Sequence, residues 1–186
     1  MSFVDLPSLL LAIPRNSITA VGLPLALGVL SGKHTGKVVR SQWYNPYKTL
    51  YMPRVRPPNY VFPIVWPLLY ISMGYASHLA VKALDTSTAE TARAGASLGL
   101  SLYYAQLALN VAWSPLFFGM KQVGWALVDS LLLAGTTFYM TKTLDSCTES
   151  KSTYLLLPYC AWLCFATYLN GSIWWLNRGR TLNKNM

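Results

Sequence analysis

An all-α membrane protein, a bundle of five transmembrane helices forming a single domain over residues 1–186, is the fold this sequence predicts, and three observations predict it. Of 186 residues, 53% are apolar and only 11% charged, whereas about a quarter of an ordinary globular domain is charged. The charges fall between long apolar intervals rather than along one face of each segment. Aromatic residues reach 13%, with 7 Trp and 12 Tyr, residue types suited to membrane interfaces and to apolar cavities that need a polar handle.

A helix needs roughly 20 mostly apolar residues to cross about 30 Å of hydrocarbon, so charged residues act as punctuation. Between Arg15 and Lys33 lie 17 uncharged residues; with the apolar Leu6 to Pro14 turn they predict a first helix over about 10–32. The 25 residues between Arg56 and Lys82 predict a second over 60–82, and the 27 between Arg93 and Lys121 a third over 94–118. The 20 between Lys121 and Lys142, interrupted by Asp129, predict a fourth over 122–143, and the 26 between Lys151 and Arg178 a fifth over 153–176. A long first loop, 33–59, is left between the first two.

With five spans, that loop, the turn before Lys121 and the carboxyl tail share one side, which holds Lys33, Lys37, Arg40, Arg54, Arg56 and Arg178 and no acidic residue. The positive-inside tendency puts this side in the cytosol. The net charge of +9 would suit nucleic acid only if it clustered on a soluble fold; here it lies between apolar spans, and no nucleic-acid partner is expected. Cys147, Cys160 and Cys164 read as buried free thiols rather than a disulfide framework. His34 and His78 lack neighbours at ligand spacing, so neither a metal site nor a cofactor is expected. The amino terminus has Asp5 in place of a basic region, and no removable signal peptide is expected.

Gly28 and Gly32, and Gly95 and Gly99, stand at the spacing that lets helix backbones approach in lipid. Packing within the bundle and a homodimer through Gly95 and Gly99 are both open on this pattern. Asp129 is the single intramembrane carboxylate; an ionisable group at that depth is a functional candidate by default, but with no cationic partner in the spans it reads as a structural, hydrogen-bonded Asp. No phosphate-binding glycine loop and no nucleophile with a histidine base is present, so no catalytic residue is assigned and the chain is not expected to be an enzyme.

Aromatic surface is what the helices do offer. Phe62, Trp66 and Tyr70 share a face at i, i+4 and i+8; Gln106, Asn110, Trp113 and Phe117 share another; Trp162, Ala166 and Asn170 a third. A cavity lined by these indoles, with Asn110 as hydrogen-bonding group, would suit a flat, largely apolar ligand. Trp174 and Trp175, near the end of the last helix, read instead as an interfacial belt.

The stretches from Trp43 to Tyr75, Gln106 to Gly119 (QLALNVAWSPLFFG), Gly124 to Gly135 (GWALVDSLLLAG) and Leu157 to Asn170 (LPYCAWLCFATYLN) closely resemble the translocator protein family, which includes peripheral-type benzodiazepine receptors and bacterial tryptophan-rich sensory proteins. The resemblance implies a five-helix bundle with a ligand pocket lidded by the first loop, taking porphyrins such as protoporphyrin IX and benzodiazepine-site ligands, with sterol also attributed to the family. By motif, it implies Trp66, Asn110, Trp113, Trp125, Trp162 and Ala166 as pocket residues, beside Phe62 and the lid residues Trp43 and Tyr60. In bacterial members the pair matching Trp66 and Trp162 is linked to light-dependent porphyrin breakdown. Family precedent implies the outer mitochondrial membrane, with secretory membranes or a bacterial envelope as alternatives.

Where family members carry KPSWxPPxW, this chain has MPRVRPPNY. Val55 and Tyr60 replace two tryptophans, Arg54 and Arg56 add charge suited to ligand carboxylates, and a proline shifts to Pro63. Gly171 and Trp175 replace the Tyr and Arg of the proposed sterol pattern, itself a weak motif. The expected function is a membrane receptor for porphyrins; sterol or lipid transport and tryptophan-dependent photo-oxidation are the alternatives.

Overall fold

The computed structural model describes residues 6–40, 44 and 50–179, with the side chains of His34 and Lys37 not among them. Among these residues the architecture is wholly helical. It comprises α1 (Ser8–Arg15), α2 (Ser17–Val39), α3 (Phe62–Thr86), α4 (Glu90–Ser114), α5 (Val123–Cys147) and α6 (Lys151–Asn177). A 3-10 turn, Asn59–Val61, leads into α3, and a π-helical turn, Pro115–Gly119, follows α4. By length and apolar composition α3, α5 and α6 can each cross a membrane, and the α1–α2 pair can together form another span. The 25 residues of α4 are less apolar, because Ser, Gly, Gln and Asn occupy its buried faces.

The first expected helix, 10–32, is instead two helices bent by 104°. Asn16 adopts extended backbone and its side chain accepts from Ile18 N (2.8 Å), starting α2 afresh as an N-cap. In α1, Pro14 has no N–H for the Leu10 carbonyl; the Tyr104 hydroxyl of α4 donates to it instead (2.6 Å). The Pro14 carbonyl, left open at the helix end, accepts from His78 Nδ1 on α3 (2.8 Å), which fixes that tautomer. Arg15 forks onto Asp85 at the end of α3 (2.9 and 3.0 Å). Thus α1 is strapped across one end of the bundle.

A second difference lies at the other end of α2, which continues to Val39 through residues expected in the loop. Lysine is a good helix former, and the exposed Lys33 side chain is long enough to reach water from the end of a span, so its charge does not stop the helix.

The core lies among α3, α4, α5 and α6, where Met73, Ala80, Leu100, Leu144, Leu156 and Tyr159 are fully buried. Small residues set the close approaches. A side chain on Gly74 would meet Val21 Cα of α2 at 2.8 Å, and one on Gly99 would meet Leu144 Cγ of α5 at 2.7 Å. A side chain on Gly95 would meet the Thr143 carbonyl of α5 at 3.7 Å, an ordinary contact. Gly99 therefore packs within the chain, while Gly95 is half-buried beside the same helix. A smaller cluster of Leu50, Phe117, Phe118, Val123, Ala126 and Ile173 fills the end of the bundle beside the π-helical turn.

Candidate functional site

On α3, four-residue spacing stacks Trp66 on Tyr70 (5.5 Å between rings, 30°). The Trp162 ring of α6 meets Trp66 edge-on (6.5 Å, 87°) and Phe62 likewise (5.7 Å, 71°). Opposite them, α2 presents two glycines with different roles. Tyr70 occupies the space a Gly28 side chain would take, its Cδ2 2.7 Å from the would-be Cβ, whereas nothing lies within 4 Å of the same position on Gly32. Between these walls is a cavity of about 620 Å³, lined by α2, α3, α4 and α6 with contributions from Ser130 and Leu133 of α5. Its size and largely apolar wall are those of a small-molecule site.

The deep polar groups are engaged with one another. The Tyr70 hydroxyl donates to Asn110 Oδ1 (2.8 Å), Asn110 Nδ2 donates to the Tyr159 hydroxyl (2.9 Å), and that hydroxyl donates to Gln106 Oε1 (2.8 Å). Trp113 Nε1 donates to Asn170 Oδ1 (3.0 Å), whose Nδ2 donates to the Val123 carbonyl (2.9 Å). Asn110, expected to hydrogen-bond a ligand, thus holds α3, α4 and α6 together. Trp162 differs: its ring lines the cavity, while its Nε1 is buried against the protein with no hydrogen-bond partner, a donor that is costly to leave unpaired.

One end of the cavity is basic. Tyr44, Arg56 and Asn59 from the segment between α2 and α3 reach it, as does Lys33 of α2, and none of the described lining residues is acidic. Arg56 donates to Asn59 Oδ1 (2.8 Å) and its guanidinium lies 5.7 Å from the Tyr44 ring centre, a cation–π contact. Tyr44 in turn packs on Phe118 (5.6 Å). Burial pushes the Tyr44 phenol above its ordinary range while the Arg56 charge pulls it back; it remains neutral near pH 7.

This segment is anchored at its start. Leu50, 1% exposed, sits in the cluster with Phe117, Phe118 and Ile173. Asn177, at the end of α6, accepts from Tyr51 N (2.9 Å) and donates to Tyr51 O (2.9 Å). The π-helical turn shapes the seat: Met120 N reaches back to Pro115 O (2.8 Å) and Gln122 N to Leu116 O (2.9 Å), widening the turn so that Phe117 and Phe118 both face inward, Phe117 stacked on Trp113 at 4.9 Å. Such turns recur at functional sites.

Of the residues expected at the site, Phe62, Trp66, Asn110, Trp113, Trp162 and Ala166 all line the cavity. Tyr60 does not; it lies in the 3-10 turn, 66% exposed. Trp125 does not either, being 67% exposed, because α5 turns Val123, Ala126 and Ser130 inward and leaves position 125 on the outer face. Arg54 is exposed away from the cavity. Trp43 lies outside the described residues. Asp129 is buried beside, not on, the cavity wall, and its Oδ2 has no hydrogen-bond partner, against the expectation of a hydrogen-bonded structural Asp. Tyr159, Leu50, Lys33 and Asn177 were not singled out. Asn177 stands only seven residues beyond Asn170, but nothing local marks its partner 126 residues away.

Comparison with known proteins places these features in context. A family model described as the TspO/MBR family matches residues 20–176. The chain is 40% identical over 164 residues to the translocator protein of Homo sapiens, covering 87% of this chain and 92% of that one. It is 38% identical over 162 residues to the translocator protein homolog of Schizosaccharomyces pombe, covering 86% and 90%. To the tryptophan-rich protein TspO of Chlorobaculum tepidum it is 39% identical over 158 residues, covering 84% and 92%.

Proposed function

The chain belongs to the TspO/MBR family, a family of membrane proteins, and from that premise we propose that it is a multi-pass membrane receptor for porphyrins such as protoporphyrin IX, and for flat apolar compounds of the benzodiazepine-site class. The observation that carries this reading is the Trp66–Trp162 pair, ring against ring in an apolar cavity of about 620 Å³. Two indoles give a flat ligand an aromatic surface to stack on. Arg56 and Lys33 at one end suit the propionates of a porphyrin, while the other cavity polar groups named above are already paired. Sterol is the less favoured ligand, since Gly171 and Trp175 stand where the sterol pattern needs Tyr and a basic residue.

The test is saturable quenching of tryptophan fluorescence by protoporphyrin IX in nanodiscs. Trp162→Ala removes the ring surface from the cavity wall and weakens binding by about fivefold or more, the loss of one aromatic contact. Linear, unsaturable quenching in the wild-type protein would sink the reading. Photo-oxidative breakdown is the second reading, favoured by the contact between the two indoles. It predicts that illuminated porphyrin is consumed over several turnovers; bleaching that stops after one equivalent counts against it.

We further propose that the basic loop side and the carboxyl terminus face the cytosol, following the charge asymmetry of the connections, and, on the precedent of the family resemblance alone, that the membrane is the outer mitochondrial one, with a secretory membrane or a bacterial envelope as alternatives.

A further inference from the structure

The described segment 50–58, between α2 and α3, has no regular structure of its own, yet it carries Arg56 and leads into Asn59 at the cavity mouth. Tyr51 is half exposed, yet its N–H and C=O both pair with one side chain, that of Asn177, itself 4% exposed. Asn177 Nδ2 also donates to the Ile173 carbonyl (2.7 Å), so the amide is oriented by its own helix before it meets the loop. Beside it, Leu50 is seated on Phe117, Phe118 and Ile173. Those same three side chains line the cavity on their other side.

We infer that Asn177 is the positioning residue that fastens this segment across the cavity mouth, and that release of the Tyr51–Asn177 bracket governs how fast a ligand exchanges with the cavity. The inference rests on the cavity being the binding site. A ligand against Phe117, Phe118 and Ile173 presses the residues that seat Leu50, so occupancy and fastening reinforce each other reciprocally. Asn177 touches no ligand in this scheme; it acts through Leu50, Tyr51 and the mouth residues beyond them.

Two measurements on wild type, Asn177→Ala and Leu50→Ala in nanodiscs test it. The first needs no ligand: trypsin cleavage after the exposed Arg54 is faster in both variants, because the segment leaves its seat more often. The second follows protoporphyrin IX release by recovery of tryptophan fluorescence on dilution; both variants release it roughly tenfold faster or more, as expected when two hydrogen bonds or a fully buried leucine no longer oppose opening. The equilibrium constant moves less than the release rate, since entry also quickens, which a merely looser fold would not produce. Release rates equal to wild type in folded variants overturn the inference and assign exchange to a path between helices. If Asn177→Ala does not fold, Leu50→Ala decides alone, as it leaves α6 intact. If wild type shows no saturable porphyrin binding, the proposed function falls with the exchange claim, and trypsin rates alone then uphold or refute the fastening.

Discussion

A methyl group added at Gly28 would enter the Tyr70 ring, whereas the same methyl at Gly32 would enter open cavity. Gly28→Ala therefore displaces Tyr70 from Asn110 and destabilises the protein by about 1–3 kcal/mol, the usual cost of overpacking. Gly32→Ala leaves thermal stability in place and reduces room for ligand; equal loss of stability in the two variants would refute this division. The pair was visible in the sequence as small residues four apart, but spacing carries no information about which neighbour each one meets. The two lid arginines divide in a similar way. Only Arg56 lines the cavity, so Arg56→Ala lowers the preference for protoporphyrin IX over its uncharged dimethyl ester by about fivefold or more at low salt, and Arg54→Ala leaves it unchanged. Partition into lipid cancels in that ratio, and an equal effect at both positions would refute the assignment. Phe62 and Trp66 were legible because helical periodicity places them on one face of α3, and Trp162 because it shares a face of α6 with Ala166. Trp125 misled because a motif match names a residue type without its rotational phase.

At the scale of elements, the break between α1 and α2 shows how far charge punctuation reaches. Counting uncharged residues located α3 through α6 because lipid demands continuous apolar length, but a bend within an apolar stretch leaves the count unchanged. Its signals were local: Pro14, and Asn16 as a cap. The bend is held at one end by the bidentate Arg15–Asp85 pair, whose side chains are about half exposed. Such an exposed pair contributes little, so Asp85→Asn leaves the melting temperature nearly unchanged, with any loss shrinking as salt rises. A larger, salt-independent loss in thermal unfolding would mean that α1 is held chiefly by this contact and not by the Tyr104 and His78 hydrogen bonds to its carbonyls. The π-helical turn, by contrast, had no sequence signal beyond Pro115, which serves equally well as a helix start.

Across the whole molecule, the basic side chains among the described residues occur at both ends of the bundle, but the acidic ones outside the spans gather at one, where Arg15, Lys82, Arg93, Lys142 and Lys151 balance them. Arg54, Arg56, Lys121 and Arg178 share the loop side, while Asp85, Glu90, Asp145 and Glu149 lie at the α3–α4 and α5–α6 connections. If the positive-inside tendency governs insertion, trypsin added to the cytosolic face of intact membranes cuts after Arg54, and trypsin confined to the other face does not; the reverse pattern would invert the topology. The all-helical class was legible because composition and interval length are global properties. The closing of the cavity was not, because it depends on Asn177 meeting a chain segment 126 residues away. That meeting has a consequence for variation. Asn177 grips only the peptide groups of Tyr51, as a neighbouring strand would, and reads no side chain there. The mouth can thus exchange its side chains one by one while its height above the cavity stays fixed, which makes the loop a cassette for grafting new ligand preferences onto an unchanged bundle.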